Sequence, residues 1–263
     1  MIKFFRRIRK ELLGEGKTGK YVQYAIGEIL LVVIGILIAL QINNWNEQRK
    51  NNALEAEYYC RLLVDLEQDG EQIKVLVERS QERLKASNHA VRLLQQEKPR
   101  ATEVGHQIAL AIKAIFTDFK PNNAAFEDLK SGANLNIIKD KNIIKALNSY
   151  YNSIESIKSV VQINGQNAVD IYYAHDDSFA NGKTPASILY GRFKEGMEDD
   201  VRNAITIDTT AILTKSMQNR LYNEVLRYMS ANTRQLELYN IIKDYTTSLT
   251  TLLERKCKTD NES

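Results

Sequence analysis

Residues 62–94 read LLVDLEQDGEQIKVLVERSQERLKASNHAVRLL. Leu62, Leu66, Ile73, Leu76, Leu84, Val91 and Leu94 fall on one stripe at spacings of three, four or multiples near seven. That is the period of a helix with one apolar face; a strand would alternate. The pattern predicts a helix that runs to about Gln96, where EKPRA at 97–101 stops it. The part beyond Trp45, about 50 residues, would be roughly 75 Å long. A helix of that length with one apolar stripe needs partners to cover it.

The partners are legible further along. Ile212, Leu213, Met217, Leu221, Val225, Leu226, Met229, Leu236, Tyr239, Ile242, Leu249 and Leu253 make a second stripe from about Asp208 to Arg255. Between the two lie a shorter predicted helix near 102–117 and a long one near 140–177, with Asp140 placed to cap it. Prolines occur only at 99, 121 and 185, and five of the twelve glycines lie in the first 35 residues, so few breakers interrupt the body of the chain. Strand-like alternation is confined to AITID at 204–208. The expected fold is all-α: one N-terminal transmembrane helix continuing into a long antiparallel helical bundle. Helix one rises, the second descends part way, the 140–177 helix rises and the last returns.

Upstream, YAIGEILLVVIGILIALQ at 24–41 holds twelve uninterrupted apolar residues, Ile29 to Leu40. Extended from Tyr21 to Ile42 and broken only by Gln23, Glu28 and Gln41, the segment is about 33 Å long as a helix, enough to cross hydrocarbon. Tyr21 and Tyr24 on one side and Trp45 on the other stand where interface anchors are expected. The residues after the run lack the small-x-small pattern of a signal-peptidase site, which favours a retained span over a cleaved leader. The first twenty residues carry seven Lys/Arg and two Glu, while the rest of the chain carries 29 basic and 31 acidic residues. Basic flanks stay inside, so the N-terminus is expected in the cytoplasm and the bundle outside, in the periplasm of a Gram-negative cell. The nearly balanced body gives no charge reason to bind nucleic acid.

The lead places Phe4, Phe5, Ile8 and Leu12 at helical spacing among Arg6, Arg7, Arg9 and Lys10, which suits an anionic lipid surface or serves only as the orientation signal. GEGKTGKY at 14–21 contains a GKT, but the glycine a phosphate loop requires five residues before Gly16 is Glu11, so the stretch reads as a hinge. The expected organisation is a basic amphipathic cytoplasmic segment at 1–20, a span at 21–43, a periplasmic bundle at 44–258 and a disordered tail at 259–263.

The run YAIGEILLVVIGILIALQINNWNEQRKN resembles the opening of a family of uncharacterised single-span membrane proteins of Gram-negative bacteria, and FEDLKSGANLNIIKDKNIIKALNSYYNSIE, Phe126 to Glu155, is similar to its second recurring segment. The resemblance covers most of the chain. Glu28 matches the glutamate of the family's span, and Ala125 stands where an aromatic might precede Phe126. The resemblance implies a membrane location and carries over no activity.

Catalytic and metal signatures are not found. His89, His106 and His175 lack metal-binding spacing, and His175 next to Asp176 and Asp177 reads as a helix-end acidic cluster. No nucleophile motif is present, so no enzyme, metal or cofactor is expected. Cys60 and Cys257 fall at the same end of antiparallel helices; a disulfide and a buried Cys60 with a free Cys257 are both open, the second being preferred. Between 176 and 200 a long irregular loop carries Phe179, Tyr190 and Phe193, either as a partner surface or tucked on the bundle top.

On the span, Glu28 shares a face with Gly35 and Ala39, a small-xxx-small pair that permits close helix approach. A carboxylate there reads as helix-association glue, as an inert interfacial residue or as a proton-coupling group. The expected function is therefore a membrane-anchored periplasmic scaffold or adaptor, self-associating or bound to another membrane protein. A sensor-like ligand-binding bundle without its own output domain and a stator-like proton-coupled subunit using Glu28 are the alternatives. The lipid bilayer is an expected partner; a small-molecule ligand is permitted but unsupported by any motif.

Overall fold

A computed structural model of the chain describes residues 18–132, 134–174 and 177–259. Seven α-helices are seen among them: α1 (Thr18–Leu94), α2 (Ala101–Ile112), α3 (Ala124–Ser131), α4 (Lys141–Tyr173), α5 (Lys183–Tyr190), α6 (Asp199–Ala204) and α7 (Lys215–Thr259). The fold is all-α, as the periodicity requires. The chain divides into two compact units, one ending at Ala56 and the other beginning at Glu57.

Within the second unit the helices run antiparallel, and three contacts fix the register of α1 against α7. At one end Cys60 and Cys257 form a disulfide with their Cα atoms 5.0 Å apart. Midway, Arg83 Nε donates to Asn232 Oδ1 at 2.7 Å. At the other end Gln218 Nε2 donates to the carbonyls of Leu94 at 2.5 Å and Gln96 at 3.0 Å. The disulfide replaces the preferred reading of a free Cys257: one helical register brings both thiols together, and sequence spacing cannot fix register. The α4 helix joins this pair through Tyr150, which donates to Asp69 at 2.7 Å and lies 3.2 Å from Thr246. Asp140 caps α4 as expected, accepting from Asn142 N at 3.1 Å.

Apolar side chains on the predicted stripes fill the core. Leu62, Leu66, Ile73, Leu76 and Leu94 of α1 are buried, as are Leu221, Val225, Ile242, Leu249 and Leu253 of α7. Ile212 and Leu226, which the sequence placed on the second stripe, are exposed instead. Their places inside are taken by Tyr228, Asn232 and Gln235, which apolar periodicity does not register as core.

The second descending leg differs most from expectation. The 102–117 helix ends at Ile112, and Ala114 takes a left-handed φ of 54°, a conformation residues with a Cβ seldom adopt. The chain from 113 to 123 then runs through the bundle without a helix, with Ile115 and Phe119 buried. Buried backbone must be hydrogen-bonded. From one side α7 supplies donors: Asn232 to Ala111 O at 2.8 Å, Gln235 to Ile115 O at 2.8 Å and Tyr239 to Thr117 O at 2.8 Å. From the other, α1 supplies acceptors: Gln72 for Lys120 N at 2.6 Å, Asp69 for Asn122 N at 2.7 Å and Asp65 for Ala125 N at 2.9 Å. The leg then resumes as α3, which the sequence did not suggest, and reaches the disulfide end, where Asp128 pairs with Arg61 at 2.8 Å.

Two further expectations change at the far end. The segment read as a long irregular loop contains α5 and α6. AITID forms no strand: the single β-bridge among the described residues pairs Arg100 with Ile212. The last helix starts at Lys215, because the Asp208 side chain accepts from Thr210 N at 2.8 Å and holds that stretch as a turn. The GKT stretch read as a hinge is helical from Thr18 onward.

Candidate functional site

In the first unit the expected span is a helix whose large apolar side chains the described residues leave exposed. Large apolar side chains from Ile26 to Ile42 are between 44% and 64% exposed, a surface that water does not tolerate over such a length. This segment is long and apolar enough to cross a membrane. A Cβ added at Gly27 or Gly35 would meet nothing within 4 Å, so the small-residue face is open. Ala39 and Trp45 are exposed too, and Arg49 lies over the Trp45 ring at 5.8 Å. Glu28 is half-buried. Arg6, Arg7, Arg9 and Lys10 lie outside the described residues, as do His175 and Asp176 and the side chains of Tyr21 and Tyr24.

The end of the bundle farthest from the disulfide holds the second candidate surface. The α5 helix is fixed to it by its first turn: Lys183 and Glu224 form an ion pair at 2.5 Å with both side chains buried. Lys183 Nζ also donates to the Tyr172 carbonyl at 3.1 Å and lies 4.6 Å from the Tyr172 ring centre, and Tyr228 donates to the same Glu224 oxygen. Burial pulls the Lys183 ammonium below the ordinary lysine value, opposed by Glu224, and burial beside that carboxylate drives Tyr228 far above the usual phenol. The cluster locks α5 between α2 and the α4–α7 pair. Sequence reading missed it, since Lys183 lies in a segment taken for loop.

The latch leaves the three aromatics of the distal segment outward. Phe179, Tyr190 and Phe193 are 51%, 57% and 57% exposed. Tyr190 rests its ring on His106 of α2, with centroids 4.4 Å apart and planes at 51°. Burial holds His106 below the ordinary histidine value. Polar residues in the bundle interior were also missed. Asp69 is buried and accepts from Asn122 N, Asn122 Nδ2 and Tyr150, at 2.7, 2.9 and 2.7 Å. Burial raises its carboxyl above the usual value and these hydrogen bonds work against that rise. Arg83 is buried among Ser80, Asn232 and Gln235. A helical-wheel plot extending the α1 stripe would put both on the inner face, which is the one signal that could have found them.

Among the described residues no group of three or more His, Cys, Asp or Glu is arranged to hold a metal ion. The sequence matches a family of unknown function, DUF6090, over residues 28–207, from the span carboxylate to the turn before α7. No curated protein and no solved structure matches the chain.

Proposed function

The chain belongs to the DUF6090 family, whose function is unknown, and within it we propose a single-span, membrane-anchored helical scaffold or adaptor of the Gram-negative inner membrane. The observation that carries this reading is the run of exposed apolar side chains from Ile26 to Ile42. Burying it in lipid gains about 25 cal/mol for each Å² taken from water, and the α-helix satisfies its own backbone there. The seven basic residues among the first twenty favour a cytoplasmic N-terminus. The Cys60–Cys257 disulfide supports the same orientation, because such bonds persist in oxidising compartments such as the periplasm.

The span face holding Glu28, Gly35 and Ala39 is the contact for a second copy or another membrane protein. At the far end of the bundle, Phe179, Tyr190 and Phe193 offer an aromatic surface to a partner. Neither contact requires turnover of a substrate.

Two measurements test the reading. In spheroplasts, added protease should remove the bundle and leave an epitope at the N-terminus intact; the reverse pattern overturns the topology. Mild-detergent purification followed by mass spectrometry should recover an assembly that Glu28→Leu disrupts. Identical recoveries from both proteins reject the association role of Glu28.

A further inference from the structure

Between α1 and α2 lies a cleft of about 600 Å³ with a mostly cationic polar lining. Arg79, Arg83 and Lys85 of α1 and Lys113, just past the end of α2, line it, with Glu82 the single carboxylate among the described lining residues. Beyond residue 20 the chain is slightly acidic, at 29 basic against 31 acidic residues, so this cationic excess is local. None of the four cations forms an ion pair with a described residue. Ala86 and Leu110 give the cleft an apolar wall.

The centre of the cleft is built from buried side chains. Arg83 is 4% exposed and meets only neutral acceptors: Nε donates to Asn232 Oδ1 at 2.7 Å, and Nη2 donates to Ser80 Oγ at 2.8 Å and Gln235 Oε1 at 2.7 Å. Those amides are themselves pinned. Asn232 Nδ2 and Gln235 Nε2 donate to the carbonyls of Ala111 and Ile115, which turns their oxygens toward the guanidinium. Nη1 makes no hydrogen bond with a described residue and is the uncommitted edge of a side chain that lines the cleft. A buried guanidinium held by two amides and a hydroxyl stays charged, and no carboxylate hydrogen-bonds to it among the described residues. As a plain latch between α1 and α7 it would need no neighbouring cations; burial disfavours its charge, Arg79 adds to that and Glu82 opposes it. The cleft is also bordered by Ala114, whose left-handed backbone ends α2 at this point.

We propose that this cleft binds a small organic oxyanion, with its carboxylate or phosphoryl oxygens on Arg83 Nη1 between Arg79 and Lys113 and its apolar part against Ala86 and Leu110. Charge-assisted bonds to the guanidinium and the ammonium supply the recognition. Occupancy would bridge α1, the end of α2 and, through the two amides, α7.

The test is thermal unfolding and isothermal titration of the full chain in detergent, with citrate and inorganic phosphate as probes and ionic strength held constant by NaCl. The expected result is a saturable rise in the unfolding midpoint with at least one probe; phosphate alone assigns the phosphoryl class and citrate alone the carboxylate class. The exposed double variant Arg79→Glu/Lys113→Glu should bind about tenfold more weakly or worse while its ligand-free midpoint stays near that of the parent. No saturable effect beyond the NaCl control with either probe, or equal binding by the double variant, overturns the proposal. Either result leaves the reading of the membrane anchor where it stands.

Discussion

Gly105 of α2 and Gly182 at the head of α5 pack backbone to backbone. A Cβ on Gly105 would overlap the Gly182 carbonyl and lie 2.7 Å from Lys183 N. Gly182 itself has a φ of 78°, and a Cβ there would run into the Ala101 carbonyl. Two positions without side chains thus let α5 approach α2 closely, and the Lys183–Glu224 pair follows from that approach.

Gly105→Ala should therefore detach α5. The expected cost is about 3 kcal/mol, the upper part of the range for overpacking a close contact, because backbone cannot give way as a side-chain tip can. Limited proteolysis should show new cleavage between 191 and 214. Unchanged stability and cleavage would mean the two helices do not touch in solution.

The buried pair makes a separate prediction. Lys183→Met removes the buried counter-charge of the Glu224 carboxylate, to which Tyr228 still donates, and should cost about 3 kcal/mol. Lys183→Met/Glu224→Leu should recover much of that loss, since it removes both charges. A single variant costing less than about 1 kcal/mol would behave like a surface pair and contradict the burial.

His106 makes the same end of the bundle sensitive to acid. Its folded value lies below 6.5, so the unfolded chain takes up the proton more readily. The stability it contributes is complete above 6.5 and declines as pH falls from there toward the folded value. The melting point should drop as pH falls below about 6.5, and His106→Gln should reduce that drop. An identical pH profile in the variant would assign the loss to other groups.

The disulfide closes a separation of 197 residues. Loop-closure entropy of that size corresponds to about 5 kcal/mol. Reductant should lower the unfolding midpoint, and Cys257→Ser should match the reduced protein and show no further response to reductant. A midpoint indifferent to reductant would show that the two thiols are not joined in the isolated protein.

Much of the architecture can be read without coordinates because apolar side chains recur at helical spacing. The end of α1 near Leu94 and the Asp140 cap of α4 follow from a breaker and a capping residue, which are local signals. The interruption of the second leg is not local. The carbonyls of Ala111, Ile115 and Thr117 are satisfied by residues about 120 positions away, so nothing near them announces that the helix can stop. Asn232, Gln235 and Asp69 escaped for a related reason: a hydropathy stripe counts carbon, and their inward direction depends on partners the sequence does not place beside them. The candidate surfaces divide in the same way. Phe179, Tyr190 and Phe193 were visible as aromatics in a loop, but their exposure depends on how α5 docks.

By itself the sequence determined the all-α character, the apolar segment between Tyr21 and Ile42, the excess of positive charge before it and the approximate positions of the long helices. These follow from periodicity and composition, which act over a few helical turns. The tertiary structure alone decided that Cys60 meets Cys257, that α5 is locked by Lys183 and Glu224, and that Arg83 faces a cationic cleft held by amides rather than a carboxylate. Each depends on helix register to within about one residue, about 1.5 Å along the axis, and register is set only when every packed face and every buried polar group is satisfied together.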